Sequence, residues 1–241
     1  RDLHSFPTRR SSDLHIRAAA FPEIHAGHAA HGAGSHWFLQ ADQLEAWRED
    51  DENGLAWEVR GWAGGDLHKA WVRSEGERFA GRTERSDVEL LYGRAIARWW
   101  NLVAGVQHDF GPGESQTFAG IGVIGLAPWK FDVEATAYVG DSGQTRASLE
   151  AEYELLFTNR LILQPLIEIT LHGKDDEARG IGAGLSTVEA GLRLRYEFTR
   201  KLAPYVGVVY ERAVAQTAGF RRAEGEETDD TIIVAGVRTW F

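Results

Sequence analysis

The feature that most constrains this chain is a two-residue alternation of apolar and polar side chains. It is clearest in "VEAGLRLRYEFT", where Val188, Ala190, Leu192, Leu194, Tyr196 and Phe198 alternate with Glu189, Gly191, Arg193, Arg195 and Glu197. Successive side chains of a strand point to opposite faces, so the pattern predicts an extended segment with one apolar and one polar surface. "SLEAEYELLF" repeats it, with Leu149, Ala151, Tyr153, Leu155 and Phe157 set against Glu150, Glu152 and Glu154. "LILQPLIEITLH" and "FDVEATAYV" follow the same rule, the former with Gln164, Glu168, Thr170 and His172 on its polar face. Weaker alternation predicts strands near 37–48, 55–65, 68–79, 84–96, 99–110, 115–127, 202–215 and 229–241. The total is about twelve, an even number, with hairpin following hairpin, no helix of substance and no clear internal repeat.

Alternation fits both a soluble sandwich, apolar face inward, and a membrane barrel, apolar face toward lipid. Three features favour the barrel. Connections after even strands are short ("GGD", "ARWWN", "APWK", "FTNR", "TRKLAP"), whereas "GKDDEARGIGAG" and "QTAGFRRAEGEETDD" on the other side are long and polar; short turns on one rim and long loops on the other mark bacterial outer-membrane barrels. Aromatic residues Trp99, Trp100, Trp129, Tyr205 and Trp240 stand at strand ends, where an amphipathic ring suits the membrane interface. The sequence also stops on Trp240-Phe241, and a terminal aromatic closing an amphipathic strand resembles the recognition signal of outer-membrane barrel assembly. The expected architecture is therefore all-β: an antiparallel transmembrane barrel of outer-membrane type over 37–241, with outer-membrane lipid and the barrel-assembly machinery as partners. A mean hydropathy of −0.33 is compatible with this, because lipid sees only alternate residues. No run approaches the roughly 18 apolar residues of a membrane helix.

A net charge of −10 without a Lys/Arg stripe argues against nucleic acid as a partner. The absence of cysteine excludes disulfides and thiolate metal sites within this sequence. With the apolar face toward lipid, Glu150, Glu152, Glu154, Glu168, Glu189, Arg193, Arg195, Glu197 and Arg238 face the lumen, as do Glu58, Arg60, Arg73, Glu75, Glu77, Glu89, Glu134 and Glu211. Such groups either form a hydrated ion-pair network or line a selective pathway, in which the surplus of carboxylates would favour cations. An enzyme is not expected: no Ser/His/Asp grouping has a recognisable context, His68, His108 and His172 stand alone, and Ser142 in "GDSG" reads as a turn.

The N-terminus divides in two. Residues 1–14, "RDLHSFPTRRSSDL", look like the translated read-through of a sequencing adapter, and any true signal peptide is expected to have been lost with the authentic start. Residues 15–36 form a small-residue segment carrying His15, His25, His28, His31 and His36. The three-residue steps in "HAGHAAH" could bring imidazoles together on a bent chain and suit Cu(II) or Zn(II). They suit a solvated Gly/Ala/His linker equally well.

Several stretches, taken in order, carry a specific resemblance: "NGLAWEVRGWAGGD", "AWVRSEGER", "ELLYGRAIARWW", "GVQHDFGPG", "GLAPWKFDVEATAYVGDSG", "RASLEAEYELLFTNRLILQP" and "APYVGVVYER". Over about residues 37–241 the sequence resembles the copper resistance protein B family of Gram-negative bacteria. The resemblance implies an outer-membrane barrel that binds or sequesters copper ions at the envelope or assists their export alongside periplasmic copper-handling proteins, while the strand pattern, with short turns and both termini on one side, puts the N-terminal segment in the periplasm. Family members commonly precede the barrel with a His- and Met-rich segment; this sequence has no methionine, so thioether sites for Cu(I) are missing from it. The alternatives are a narrow cation-permeable porin without metal specificity and, less favoured, an outer-membrane enzyme.

Overall fold

The computed structural model describes residues 34–49, 51–111 and 114–241. The adapter-like residues 1–14, and His15, His25, His28 and His31, lie outside the described residues. Within the unit Ser35–Phe241 the strands are β1 (His36–Glu49), β2 (Glu52–Gly64), β3 (His68–Phe79), β4 (Arg82–Ala97), β5 (Trp100–Asp109), β6 (Gln116–Leu126) and β7 (Asp132–Gly140). They continue as β8 (Thr145–Glu152), β9 (Leu155–Leu156), β10 (Leu161–His172), β11 (Gly184–Tyr196), β12 (Leu202–Ala213) and β13 (Asp229–Trp240). The pairings are antiparallel and each strand lies beside the next, except that β8 and β9 both pair with β10. The sheet closes because β1 pairs with β13. At the seam, Leu39 and Phe241 exchange backbone hydrogen bonds of 3.3 and 2.8 Å.

β8 and β9 are one barrel stave interrupted opposite Pro165, so the closed barrel has twelve staves. The interruption has a chemical cause. The Tyr153 amide donates to the Pro165 carbonyl at 3.1 Å, but proline has no N–H to return the bond, and the ladder lapses for Tyr153 and Glu154. Sequence alternation through "SLEAEYELLF" predicts an unbroken strand there; the missing donor on the neighbouring strand breaks it.

Large apolar side chains cover the outer surface. Leu39, Leu55, Leu90, Val106, Ile121, Ile167, Leu192, Val206 and Ile233 are all exposed, as a wall facing hydrocarbon requires. Both chain ends of the barrel reach the same rim, here the terminal rim. Trp37, Trp99, Trp129, Phe157, Phe198 and Phe241 stand exposed around it, as an interfacial aromatic girdle does. Tyr205 and Trp240, expected in that girdle, turn inward instead. Tyr205 shares its face with Arg195 and is 6 % exposed, and the Trp240 indole donates to the Arg200 carbonyl at 2.7 Å. Strand phase decides this: Trp240 pairs with the inward Gln40, and only Phe241 falls outward.

The opposite, loop rim carries the two longest connections. One holds a helix that the sequence reading did not anticipate, α1 (Ala215–Glu224). No helix among the described residues is long and apolar enough to cross a membrane; the strands make the crossing.

An arginine in place of Ile121, mid-strand on the lipid face of β6, should destabilise the barrel by about 2–4 kcal/mol, whereas Phe131→Arg beside the terminal rim should cost about 0–1 kcal/mol. Urea titration of the protein folded in vesicles measures both.

Candidate functional site

The lumen divides into a packed half toward the terminal rim and a hollow half toward the loops. In the packed half Gln40, Asp42, Glu45, Glu152, Gln164, Arg193 and Arg195 are all buried. Leu91, Val103 and Ile124 pack there with Trp71, and Phe38 lies against Trp62 and Trp240 at ring separations of 6.4 and 6.0 Å. Polar side chains with so little water must satisfy one another.

Most do so by reaching across the barrel, while Arg73 Nη2, Arg193 Nη1, Arg195 Nε and the Tyr205 hydroxyl have no hydrogen-bond partner among the described residues. Arg60 on β2 meets Glu134 on β7 at 3.2 Å, and Arg73 on β3 meets the other oxygen of Glu134 at 2.6 Å. Arg238 on β13 binds Asp42 at 2.6 Å and, toward the opposite wall, Glu154 at 3.0 Å; Arg195 shares that Glu154 oxygen at 2.6 Å. Arg60 also reaches Asp42 at 3.5 Å, and Arg73 reaches Glu89 at 3.6 Å. The result is one continuous chain of ions, Arg195, Glu154, Arg238, Asp42, Arg60, Glu134, Arg73 and Glu89, that spans the lumen. Tyr138 extends it by donating to Glu89 at 2.9 Å. Gly120 allows this: the Tyr138 ring lies over it, and a Cβ there would stand 2.9 Å from the ring. Arg193 pairs separately with Glu45 at 2.6 Å and donates to Gln43 at 3.0 Å.

Above this barrier lies a cavity of about 590 Å³ that extends to Glu224 and Glu226 at the loop rim. Acidic side chains outnumber arginines along its walls by more than two to one. The register explains the concentration of charge. Glu134, Glu150, Glu168, Glu189, Glu211 and Asp230 lie directly opposite one another on successive strands from β7 to β13. Glu58, Glu75 and Asp87 do the same from β2 to β4. Like charges directly opposite are unfavourable, and few cations relieve them here. Arg85 binds Glu75 at 2.7 Å, Arg221 binds Glu211 at 2.7 Å, and Arg146 is engaged with Gln107 and the Tyr138 ring. α1 helps to frame the mouth. Its buried Thr217 accepts from the Gly182 amide at 2.9 Å, tying the two long loops together.

Of the lumen residues expected from sequence, Glu152, Glu154, Arg193, Arg195 and Arg238 join the packed half, while Glu150, Glu168 and Glu189 belong to the carboxylate rows. Glu197 lies beyond β11, where its amide donates to the Arg160 carbonyl at 2.8 Å, and its side chain is outside the ion-pair chain. Alternation alone missed Asp42 and Glu45, because a bulge between Ala41 and Gln43 changes the phase of β1. Asp87 is in phase with Glu89 on β4, so alternation with Val88 and Leu90 carried a signal for it. His36 is the first residue of β1 and is exposed.

The histidines that stand alone in sequence have partners in the fold. His68 meets the Tyr92 hydroxyl at 2.5 Å, His108 meets Thr117 at 2.9 Å, and His172 meets Ser186 at 2.9 Å. Ser186 donates to the Gly182 carbonyl at 2.9 Å and is 1 % exposed, so it braces the loop base. "GDSG" forms the β7–β8 turn, with Gly143 at φ 76°. Among the described residues no three His, Asp or Glu side chains converge closely enough to cage a metal ion.

A closed, lipid-faced antiparallel barrel with a polar interior defines an outer-membrane-type barrel protein. The NanC porin shares the fold, with a TM-score of 0.56 at 11 % identity, covering 85 % of this chain and 99 % of the porin. Residues 35–241 match the family model described as copper resistance protein B precursor, and the chain belongs to that family. It is 45 % identical to the copper resistance protein B homolog of Pseudomonas syringae pv. tomato, covering 99 % of this chain and 85 % of the relative. It is 44 % identical to copper resistance protein B of Escherichia coli, covering 93 % and 76 %. Family and fold together point away from an enzyme.

Replacing Arg193 with Met should strand the buried Glu45 carboxylate and cost about 3–5 kcal/mol, most of it recovered when Glu45→Gln is added. Urea midpoints of Arg193→Met, Glu45→Gln and the double variant, each against the unaltered protein in vesicles, give the cycle.

Proposed function

We propose that this barrel serves copper tolerance by binding copper ions at the outer membrane, with its N-terminal segment in the periplasm as a first point of capture. Family membership over residues 35–241 carries the reading. The placement of the N-terminal segment is supported by β1 beginning on the rim opposite the two longest loops, the rim that faces the periplasm in barrels of this type. His15, His25, His28, His31 and His36 supply imidazoles, and without methionine the donors in this chain favour Cu(II) over Cu(I). In this role copper is cargo. It is held for, or received from, periplasmic copper-handling proteins, either sequestered or passed on toward export, and no catalytic step is required.

A narrow cation-permeable porin is the competing reading, favoured by the acidic cavity walls. The ion pairs that cross the lumen favour binding over conduction.

Two measurements check the proposal. Deleting the gene should lower the copper concentration at which the host stops growing while leaving growth without added copper unchanged; undiminished tolerance would refute it. In calorimetric titration, a peptide covering residues 15–37 should bind Cu(II) more tightly than a His-poor scrambled control. Equal affinity would reduce the segment to a linker.

A further inference from the structure

The hollow half of the lumen holds carboxylates that the ion-pair chain does not neutralise. Glu75 and Asp87 lie directly opposite each other on β3 and β4, and Glu150 and Glu168 do so on β8 and β10, the facing wall. All four line the same cavity. The two walls bound one space, since Glu75 and Glu168 line the same cavity. Arg85 stands among them but is committed to Glu75 at 2.7 Å. Among the described residues neither Glu150 nor Asp87 has a cationic side chain within 4.0 Å, and the Glu168 carboxylate has the Thr170 hydroxyl at 3.5 Å as its one hydrogen-bond donor.

Asp87 is the most telling of these. It is 6 % exposed, lines the cavity, and its carboxylate has neither an ion pair nor a hydrogen-bond donor among the described residues. A carboxylate buried that far without a partner is costly, more so beside another acid. It shares the cavity lining with Arg85 and Arg146, neither of which is within ion-pair distance of it among the described residues.

We propose that Asp87, Glu75, Glu150 and Glu168 form a binding site for a hydrated divalent cation in the hollow half of the lumen. The cation enters from the loop rim and is retained because the crossing ion pairs close the other side. Since no three of these donors converge on one point, the ion keeps much of its water and is held by charge and by water-mediated bonds. An all-oxygen, hydrated environment suits hard cations such as Mg²⁺, Ca²⁺ or Mn²⁺. The site is independent of the copper reading, as it uses neither the histidines nor a soft donor.

Mn²⁺ is the probe of choice, read by electron paramagnetic resonance on the full chain folded in detergent, with heat-modifiable migration confirming that each variant is folded. The unaltered protein should bind Mn²⁺, and Asp87→Asn combined with Glu150→Gln should weaken binding by about tenfold or more. Arg85→Gln, which removes a competing positive charge, should tighten it. Replacing His15, His25, His28, His31 and His36 with Ala should leave Mn²⁺ affinity unchanged. Absence of Mn²⁺ binding would mean that protons neutralise these acids and would overturn the proposal. So would affinity that survives the Asp87/Glu150 double variant or disappears with the histidines.

Discussion

The rest of this structure depends on one requirement: within hydrocarbon every backbone N–H and C=O must find a partner inside the protein. A sheet meets it only by closing, and the pairing of β1 with β13 removes the last free edges. Closure then fixes the chemistry of both surfaces. Because side chains alternate, the residues between Leu39, Leu55, Ile121 and Ile233 must point into an enclosed space, and acids and arginines accumulate there. The girdle of Trp37, Trp99, Trp129 and Phe241 sets the height of the terminal rim in the membrane.

A lumen this narrow lets opposite walls meet, which turns the polar interior into a structural element. Arg60 and Glu134, and Arg238 and Glu154, tie together staves that the sheet does not pair. These pairs brace the barrel against flattening and fill its terminal half. On the loop side the walls carry acids in excess, so the same architecture that closes one end leaves a negatively charged chamber at the other.

Much of this fold was legible in the sequence because a barrel strand writes its environment as a period of two. Strand positions, their even number and the inward direction of Glu150, Glu168, Arg193 and Arg238 all follow from it. What escaped has specific physical causes. The bulge in β1 shifts phase, hiding Asp42 and Glu45. Pro165 interrupts its neighbour's ladder, an effect on β8 and β9 that cannot be read from their own residues. α1 has a mid-helix Gly219, no side-chain cap and a left-handed Ala215 at its start, so local preference does not announce it; the buried Thr217 and its bond to Gly182 hold it in place. Tyr205 and Trp240 look interfacial by position and face inward by phase. The ion-pair chain itself joins residues as distant in sequence as Asp42 and Arg238, and partner choice across a barrel leaves no local pattern.

The central claim is that the barrel's own ion pairs close its lumen, making it a vessel with one open end. Single-channel recording in planar bilayers tests this most directly. The unaltered protein should insert without steady ohmic conductance, and combined Arg60→Ala, Glu134→Ala and Arg238→Ala should open a cation-preferring conductance. Steady conductance in the unaltered protein, unchanged by those substitutions, would contradict the account.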